Sequence, residues 1–428
     1  MAGGKPSPLS LLPMISFRRS PWMLFVLLAA ALHVAVLVAG FVQPRPTVSI
    51  PWWPQGSLSL GVESVSWPFA LSLTALALAV LLTAPARGVH QPLAWGSSLL
   101  ILVAGMPALF SGNFLTLALA WALLDAGELS VLLSQASTNT ERGRVVAIFA
   151  ARFGGMLLAV WLAAVQGAEG ITASLPVPFE AILLLAVAMR LGVFPPHVSS
   201  VRQSGPLRRG LGTTLRLASP AASLWLLAGI ARDAPASRWM PWLTGAALVA
   251  GLTGALGWLA ASDALDGRPF WVLGMASLAV GAALNGHPSA ALAWGIVMIV
   301  CGGTLFLASL RETALAWIPI LATALLVGLP YTPGWYAAQG YLPLAGGAAW
   351  VWMAIHFLMT AGYVRFVWPG SAPSLLTRGE RAAYALGMAL LLGNGIFLGV
   401  RQSLQTGRGS WEHLTGLTGG ALLLWGVQ

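Results

Sequence analysis

Five charged side chains fall inside long apolar runs of the 428-residue sequence: Asp125, Glu128, Arg152, Arg190 and Arg216. A charge isolated in hydrocarbon costs several kcal/mol, so each must either do work or be paired. Asp125 and Glu128 are three residues apart and share one helix face. Two chemistries fit. In the first, a carboxylate paired with Arg190 is an acidic switch that retains proton or ion coupling. In the second, two carboxylates neutralise two of three guanidiniums and hold helices together. Composition favours the static network. Lys+Arg totals 22 and the sole lysine is Lys5, so the remaining 21 are arginines. Arginine stays protonated, so it holds an anion but cannot hand a proton on. His197 is the best remaining proton-exchanging group, since imidazole can both gain and lose a proton. Placed after two prolines, it more often serves to satisfy loose carbonyls at a helix break. His33, His287 and His356 stand singly among apolar residues and read as structural.

Other chemistries lack their ligands. There is no His-x-x-x-His or Cys-x-x-Cys pair, no paired carboxylate cluster and no Gly-rich phosphate loop ahead of a helix. The single cysteine, Cys301, rules out an internal disulfide and any cysteine-ligated iron–sulfur or zinc site. No metal or cofactor is expected of this chain, and any redox chemistry would belong to partner subunits. A net charge of +10 would suggest nucleic acid in a soluble protein. Here it is better explained by positive loops on one side of a membrane, so nucleic acid is not an expected partner.

The elements that position these residues are membrane spans. Mean hydropathy is +0.81, with 57% hydrophobic and 8% charged residues. Runs of about 20 apolar residues, enough to cross ~30 Å of hydrocarbon, recur throughout. Apolar runs and polar breaks predict thirteen spans: 21–42, 65–85, 92–111, 113–136, 143–166, 178–201, 210–231, 239–261, 268–286, 288–310, 314–345, 346–368 and 379–400. The fold expected is an all-α polytopic membrane protein of about 13–14 helices. Residues 1–20 form a basic tail, 21–400 the membrane domain, and 401–428 an amphipathic tail or a marginal further span. Pro21–Gly40 is too long for the apolar core of a signal peptide, so the first span is read as uncleaved. The 20 tryptophans suggest an interfacial belt and lipid-facing packing.

The sixth and eleventh spans are interrupted, by Pro195 and Pro196 ahead of His197 and by Pro330, Pro333 and Gly334. Prolines this dense cannot continue a helix, and freed backbone is tolerated at membrane depth only under cover of protein or water. Interruptions five spans apart suggest an inverted repeat, about 92–231 against 239–368. With the N-terminus inside, inner segments collect fourteen cations, including Arg87, Arg208, Arg209, Arg268 and Arg365. The outer loops collect five, Arg45, Arg232, Arg238, Arg401 and Arg408. That bias predicts a cytoplasmic N-terminus in an inner (cytoplasmic) membrane.

Four stretches then resemble one family. Val62-Glu63-Ser64-Val65-Ser66 is similar to the acidic opening of an early helix in the antiporter-like subunits of respiratory complex I and Mrp-related assemblies. The run Asn113 to Trp121 looks like the approach to that family's Trp-Glu helix. Arg190 to His197 resembles its first helix break, and Gly328 to Gly334 its second. The ordered set covers about residues 60–400 and leaves the family's first helix without a counterpart. The departures matter as much. The family's glutamate falls on Ala122, its lysine at the first break on Arg190, and the next lysine or histidine near Arg216. The central histidine or lysine falls near Met298, and the charged residue after the second break on Ala338, beside Gln339. The resemblance implies an antiporter-like subunit of a complex I-related assembly that partners other membrane subunits and lipids. With the relay positions replaced, it implies a scaffold with reduced or lost proton translocation. A membrane subunit of a cation/proton antiporter or of a proton-coupled bicarbonate-uptake complex is the alternative.

Overall fold

A computed structural model describes residues 21–52, 56–89, 91–136, 138–167, 170–171, 176–198, 208–230, 239–309, 315, 317–341, 347–367 and 376–406. The basic tail with Lys5, Arg18 and Arg19, loop residues Arg202, Arg232, Arg238 and Arg311, and segment 407–428 lie outside them.

Fourteen α-helices follow in order: α1 (Pro21–Ala39), α2 (Trp67–Leu82), α3 (Pro92–Leu109), α4 (Phe114–Gln135), α5 (Asn139–Gln166), α6 (Val177–Leu191) and α7 (Gly210–Ile230), then α8 (Met240–Ala260), α9 (Arg268–Leu284), α10 (Pro288–Leu307), α11 (Trp317–Val327), α12 (Pro333–Ala338), α13 (Gly347–Val367) and α14 (Arg378–Thr406). Every predicted span falls on a helix, and the eleventh is divided between α11 and α12. Eight described helices are long and apolar enough to cross a membrane; α2, α9 and α11 are shorter apolar helices. The protein is an all-α polytopic membrane protein.

Prolines start these helices more often than they break them. Eight, α1, α2, α3, α6, α8, α9, α10 and α12, carry proline at the first or second position, where the missing N–H would be unsatisfied anyway. Side-chain caps start three more, among them α14, where Thr377 and Glu380 each accept from the other's amide. Asn113 accepts from the Thr116 amide at the head of α4, and Thr138 with Glu141 forms a reciprocal capping box at α5.

Helices α2, α9 and α10, together with α7, are buried almost all round and form the centre. In the first half α3 packs on both α4 and α7, and in the second α8 packs on both α9 and α13. α5 is one-sided: Val145, Phe149, Arg152, Gly155, Ala159 and Leu162 are buried at helical spacing, while Val146, Phe153, Leu157, Val160 and Trp161 face outward. An apolar outer face is what lipid or a partner helix requires.

Three features differ from the sequence reading. Between α1 and α2 lies an antiparallel hairpin, β1 (Thr47–Trp52) with β2 (Gly56–Gly61). It is fastened over the α3–α4 turn by Asn113 Nδ2 donating to Ser57 O at 2.7 Å and by the Ser59 amide donating to Thr116 Oγ1 at 2.9 Å. The last helix runs to Thr406, past the predicted limit of 400, because the Arg401 guanidinium packs over Trp67 and Ser403 hydrogen-bonds the Tyr336 hydroxyl. Lastly, many tryptophans are internal. Trp121 donates its indole N–H to Ala222 O, Trp225 to Ala108 O, Trp258 to Met359 O and Trp271 to Met298 O. A buried indole needs an acceptor, and carbonyls of neighbouring helices provide it. Trp242 and Trp350 keep the outward placement expected of all.

Candidate functional site

The buried charges meet where α4, α5, α6 and α7 face one another. Gly155 makes this possible: a Cβ there would stand 2.5 Å from Ala186 O and 2.9 Å from Arg190 Cγ, so only glycine lets α6 press this closely on α5. Arg190, near the end of α6, then points at α4. Its Nη1 and Nη2 donate to Asp125 Oδ2 and Oδ1 at 2.7 and 2.9 Å, a bidentate pair. Its Nε donates to Ser223 Oγ on α7 at 3.3 Å. The Trp121 ring lies 4.4 Å from the guanidinium carbon, close enough for cation–π attraction. The side chain is fully excluded from solvent. One turn along, Arg152 of α5 pairs directly with Glu128 and lies 3.8 Å from Asp125. Arg216 on α7 is within electrostatic reach of Glu128 and Arg152. Glu128 Oε1 is buried without a hydrogen-bond partner among the described residues.

His197 is not part of this cluster. Helix α6 ends at Leu191, Gly192 turns the chain at φ +75°, and the His197 amide donates back to Gly192 O at 3.0 Å. Its ring Nδ1 contacts Pro195 O at 2.9 Å. Pro195 and Pro196 sit exposed in that turn, and the continuation through 199–207 lies outside the described residues.

The second interruption is complete. α11 stops at Val327, Gly328 adopts φ +91°, Tyr331 φ +64°, and α12 restarts at Pro333. The Thr332 hydroxyl donates to Leu329 O at 2.6 Å. A Cβ on Gly334 would fall 2.0 Å from Leu325 O, so the restarted helix can approach the broken end only through glycine. Pro330 and Pro333 bracket this turn. Among the described residues no carboxylate lines it. Instead His356 of α13 contacts Leu326 O at 2.9 Å through Nε2 and the Tyr341 hydroxyl through Nδ1. Trp294 packs edge-on against it at 4.9 Å.

No protein-family model matches the sequence, and no curated protein matches it. Solved structures do. A chain of the Mrp complex from Dietzia sp. DQ12-45-1b superposes with a TM-score of 0.72 at 18% identity, over 92% of this chain and 49% of that one. This protein therefore spans about half the length of that relative. A chain of respiratory complex I from Thermus thermophilus, in the structure with bound NADH, gives 0.68 at 18% identity over 89% of this chain and 92% of that one. The membrane-bound sulfane sulfur reductase, an archaeal respiratory membrane complex, gives 0.63 at 15% identity over 87% and 71%. This chain shares the fold of those chains. All three neighbours are parts of multisubunit membrane complexes.

In this fold the positions singled out in the sequence divide into groups. Asp125, Glu128, Arg152 and Arg190 come together, Arg216 stands nearby, and His197 closes a turn. Met298 is fully buried and gives its carbonyl to Trp271; Ala338 ends α12. Sequence reasoning missed Glu180, which is buried in the first turn of α6 although an acid at a helix start ordinarily reads as a solvated cap. It also took His356 for an isolated core histidine; its distance of thirty residues from Leu326 gave no local signal.

The loop arginines do more than bias orientation. Arg87 donates to Val80 O and Thr83 O at the end of α2, Arg209 to Ala308 O at 2.8 Å at the end of α10, and Arg365 to Leu259 O at the end of α8. A multi-donor cation at a helix C-terminus satisfies orphan carbonyls and the negative dipole end together. Arg208 bridges Asp263 at 3.2 Å and Asp266 in the α8–α9 connection. Burial alone would raise the Asp263 carboxyl, but the Asp266 and Leu265 amides and Arg208 outweigh it and hold it below the usual carboxylate range.

Proposed function

We propose that this chain is a scaffold-type antiporter-like subunit of a complex I-related membrane assembly, with proton translocation through it reduced or lost. The supporting observation is the saturation of Arg190. Its donors engage both Asp125 oxygens and Ser223, and its face lies on Trp121. A switch needs a group that changes protonation or partner. Arginine keeps its proton, and here its side chain is held on every side. Among the described residues of α8–α13, Arg268 is the buried formal charge, and it sits at the start of α9, bonded to Leu265 O and Arg208 O.

In this reading the two five-helix sets, about 92–231 and 239–368, are inverted repeats, since an odd number of crossings reverses direction. The N-terminus lies on the cytoplasmic face of the inner membrane. Other membrane subunits and lipids cover the outward apolar faces of α1, α5 and α13. No cofactor or nucleic acid is assigned to the chain. The Mrp likeness, which covers 92% of the chain, supports a second reading, a membrane subunit of a cation/proton antiporter or of a proton-coupled bicarbonate-uptake complex.

Proton stoichiometry in reconstituted vesicles tests the scaffold reading. Arg190→Ala or His197→Ala that assembled normally yet lowered protons moved per turnover would overturn it; unchanged stoichiometry is the expected result. The second reading is checked by sodium- or bicarbonate-dependent flux in the absence of a redox donor.

A further inference from the structure

We propose that the end of the molecule bearing Arg401 holds the phosphate headgroup of an anionic phospholipid. A cavity of about 280 Å³ opens there between the starts of α2 and α10 and the end of α14. Its polar rim consists of Ser64, Ser289, Arg401, Gln402 and Gln405. Arg401 packs on Trp67 at 4.1 Å and on Phe41 at 5.2 Å, which fixes its plane, and its Nη1 is buried without a hydrogen-bond partner among the described residues. A buried guanidinium N–H left unmade is costly, so the geometry calls for an acceptor. Arg45, from the α1–β1 connection, is close enough to act on Arg401 as a like charge. Glu63, the acid adjacent to Ser64, does not line the cavity. The positive dipole ends of α2 and α10 add to the same field. The Gln402 amide donates to Ser289 O at 3.4 Å, tying α14 to the start of α10 across the rim.

A free anion would use only the rim. The remaining wall is apolar, with Leu292, Ile296 and Leu398 below the charged residues. Phosphate chemistry above and hydrocarbon below match one amphiphile, a phospholipid whose headgroup sits at the guanidinium and whose chain follows the apolar wall. This site is at a different place from the α4–α7 charge cluster and does not depend on whether the subunit moves protons.

The test uses the full chain with whatever membrane partners co-purify, placed in lipid discs of phosphatidylcholine with and without phosphatidylglycerol. Lipid retained after detergent exchange is read by native mass spectrometry, and the thermal midpoint is followed in parallel. The wild type is expected to retain phosphatidylglycerol selectively and to melt higher with it. Arg401→Gln should retain it about tenfold less, the loss of one charge-assisted hydrogen bond, whereas Arg401→Lys should keep part of the effect and Arg365→Gln all of it. Gln405→Leu, with a smaller loss, serves if Arg401→Gln does not assemble. Equal retention in wild type and Arg401→Gln would overturn the proposal. Inorganic phosphate that raised the midpoint as much as the lipid would overturn the lipid assignment and leave a site for a free oxyanion.

Discussion

The two helix interruptions use the same backbone device and are lined with opposite chemistry. At the end of α6, Gly192 turns the chain beside a network of carboxylates and guanidiniums. At the end of α11, Gly328 and Tyr331 turn it beside His356, Tyr341 and Trp294, with aromatic packing and no carboxylate. The difference teaches that a broken membrane helix does not by itself make an ion pathway. At α6 the freed carbonyls are taken by amides of the turn itself, Val193 and Phe194 on Ala188 O and His197 on Gly192 O, whereas at α11 an imidazole from another helix takes Leu326 O.

The largest expected effect concerns the charged side of this comparison. Asp125→Ala should leave Arg190 buried and uncompensated and cost about 3–5 kcal/mol, read as a loss of folded protein or a lowered thermal midpoint. Replacing both partners, Asp125→Leu with Arg190→Met, should restore much of that stability. If the double variant were as unstable as the single one, the pair would be doing more than neutralising itself.

Gly334→Ala probes the apolar side at similar scale. Its Cβ would meet Leu325 O at 2.0 Å, and backbone cannot yield cheaply, so a destabilisation of about 3 kcal/mol or more is expected from overpacking. A variant that folded and melted like the wild type would mean that α12 does not press on α11 in this way.

His356→Leu should cost less, about 1–3 kcal/mol for the carbonyl left without its imidazole, and should leave ion flux unchanged in the vesicle assay. A fall in flux with normal assembly would give the second interruption a transport role and erase the contrast. Restoring the family-like lysine with Arg190→Lys should lose the bidentate fork and lower the midpoint by a few degrees, without creating proton movement.

The smallest effect lies outside the membrane. The folded pKa of Asp263 is lowered from an unfolded value near ~3.9. Its stabilisation is therefore complete above that value and lost as pH falls through the folded one. Half exposure of the side chain, 48%, limits the contribution to under about 1 kcal/mol. Asp263→Asn should remove this acid-dependent part of the melting curve and nothing near neutral pH.

Much of the fold was legible because the membrane constrains sequence so strongly. Apolar length put a helix on every predicted span, eight of them long and apolar enough among the described residues to cross a membrane, and proline density marked the end of α6 and the break between α11 and α12. The β-hairpin was not legible: its strands are short, Pro51 interrupts the first, and the contacts that hold it come from Asn113 and Thr116, more than fifty residues away. The tryptophans misled for a similar reason, since contacts between helices far apart in sequence decide which indoles face the core, and Trp294 and Trp352 are buried even without an acceptor among the described residues.

The sequence by itself determined that the chain crosses a membrane many times, that the crossing at Gly328–Gly334 is interrupted, and that its buried cations are arginines. Those properties follow from apolar length, from proline's missing donor and from the side chains present. Only the tertiary structure decided that Arg190 takes both oxygens of Asp125 while Arg152 takes Glu128, that His197 turns back on its own loop, and that His356 serves a carbonyl thirty residues away. These are choices among partners of equal chemistry. They are fixed by how closely helices approach, at Gly155 and Gly334 above all, and that distance is set by packing rather than by any local pattern of residues.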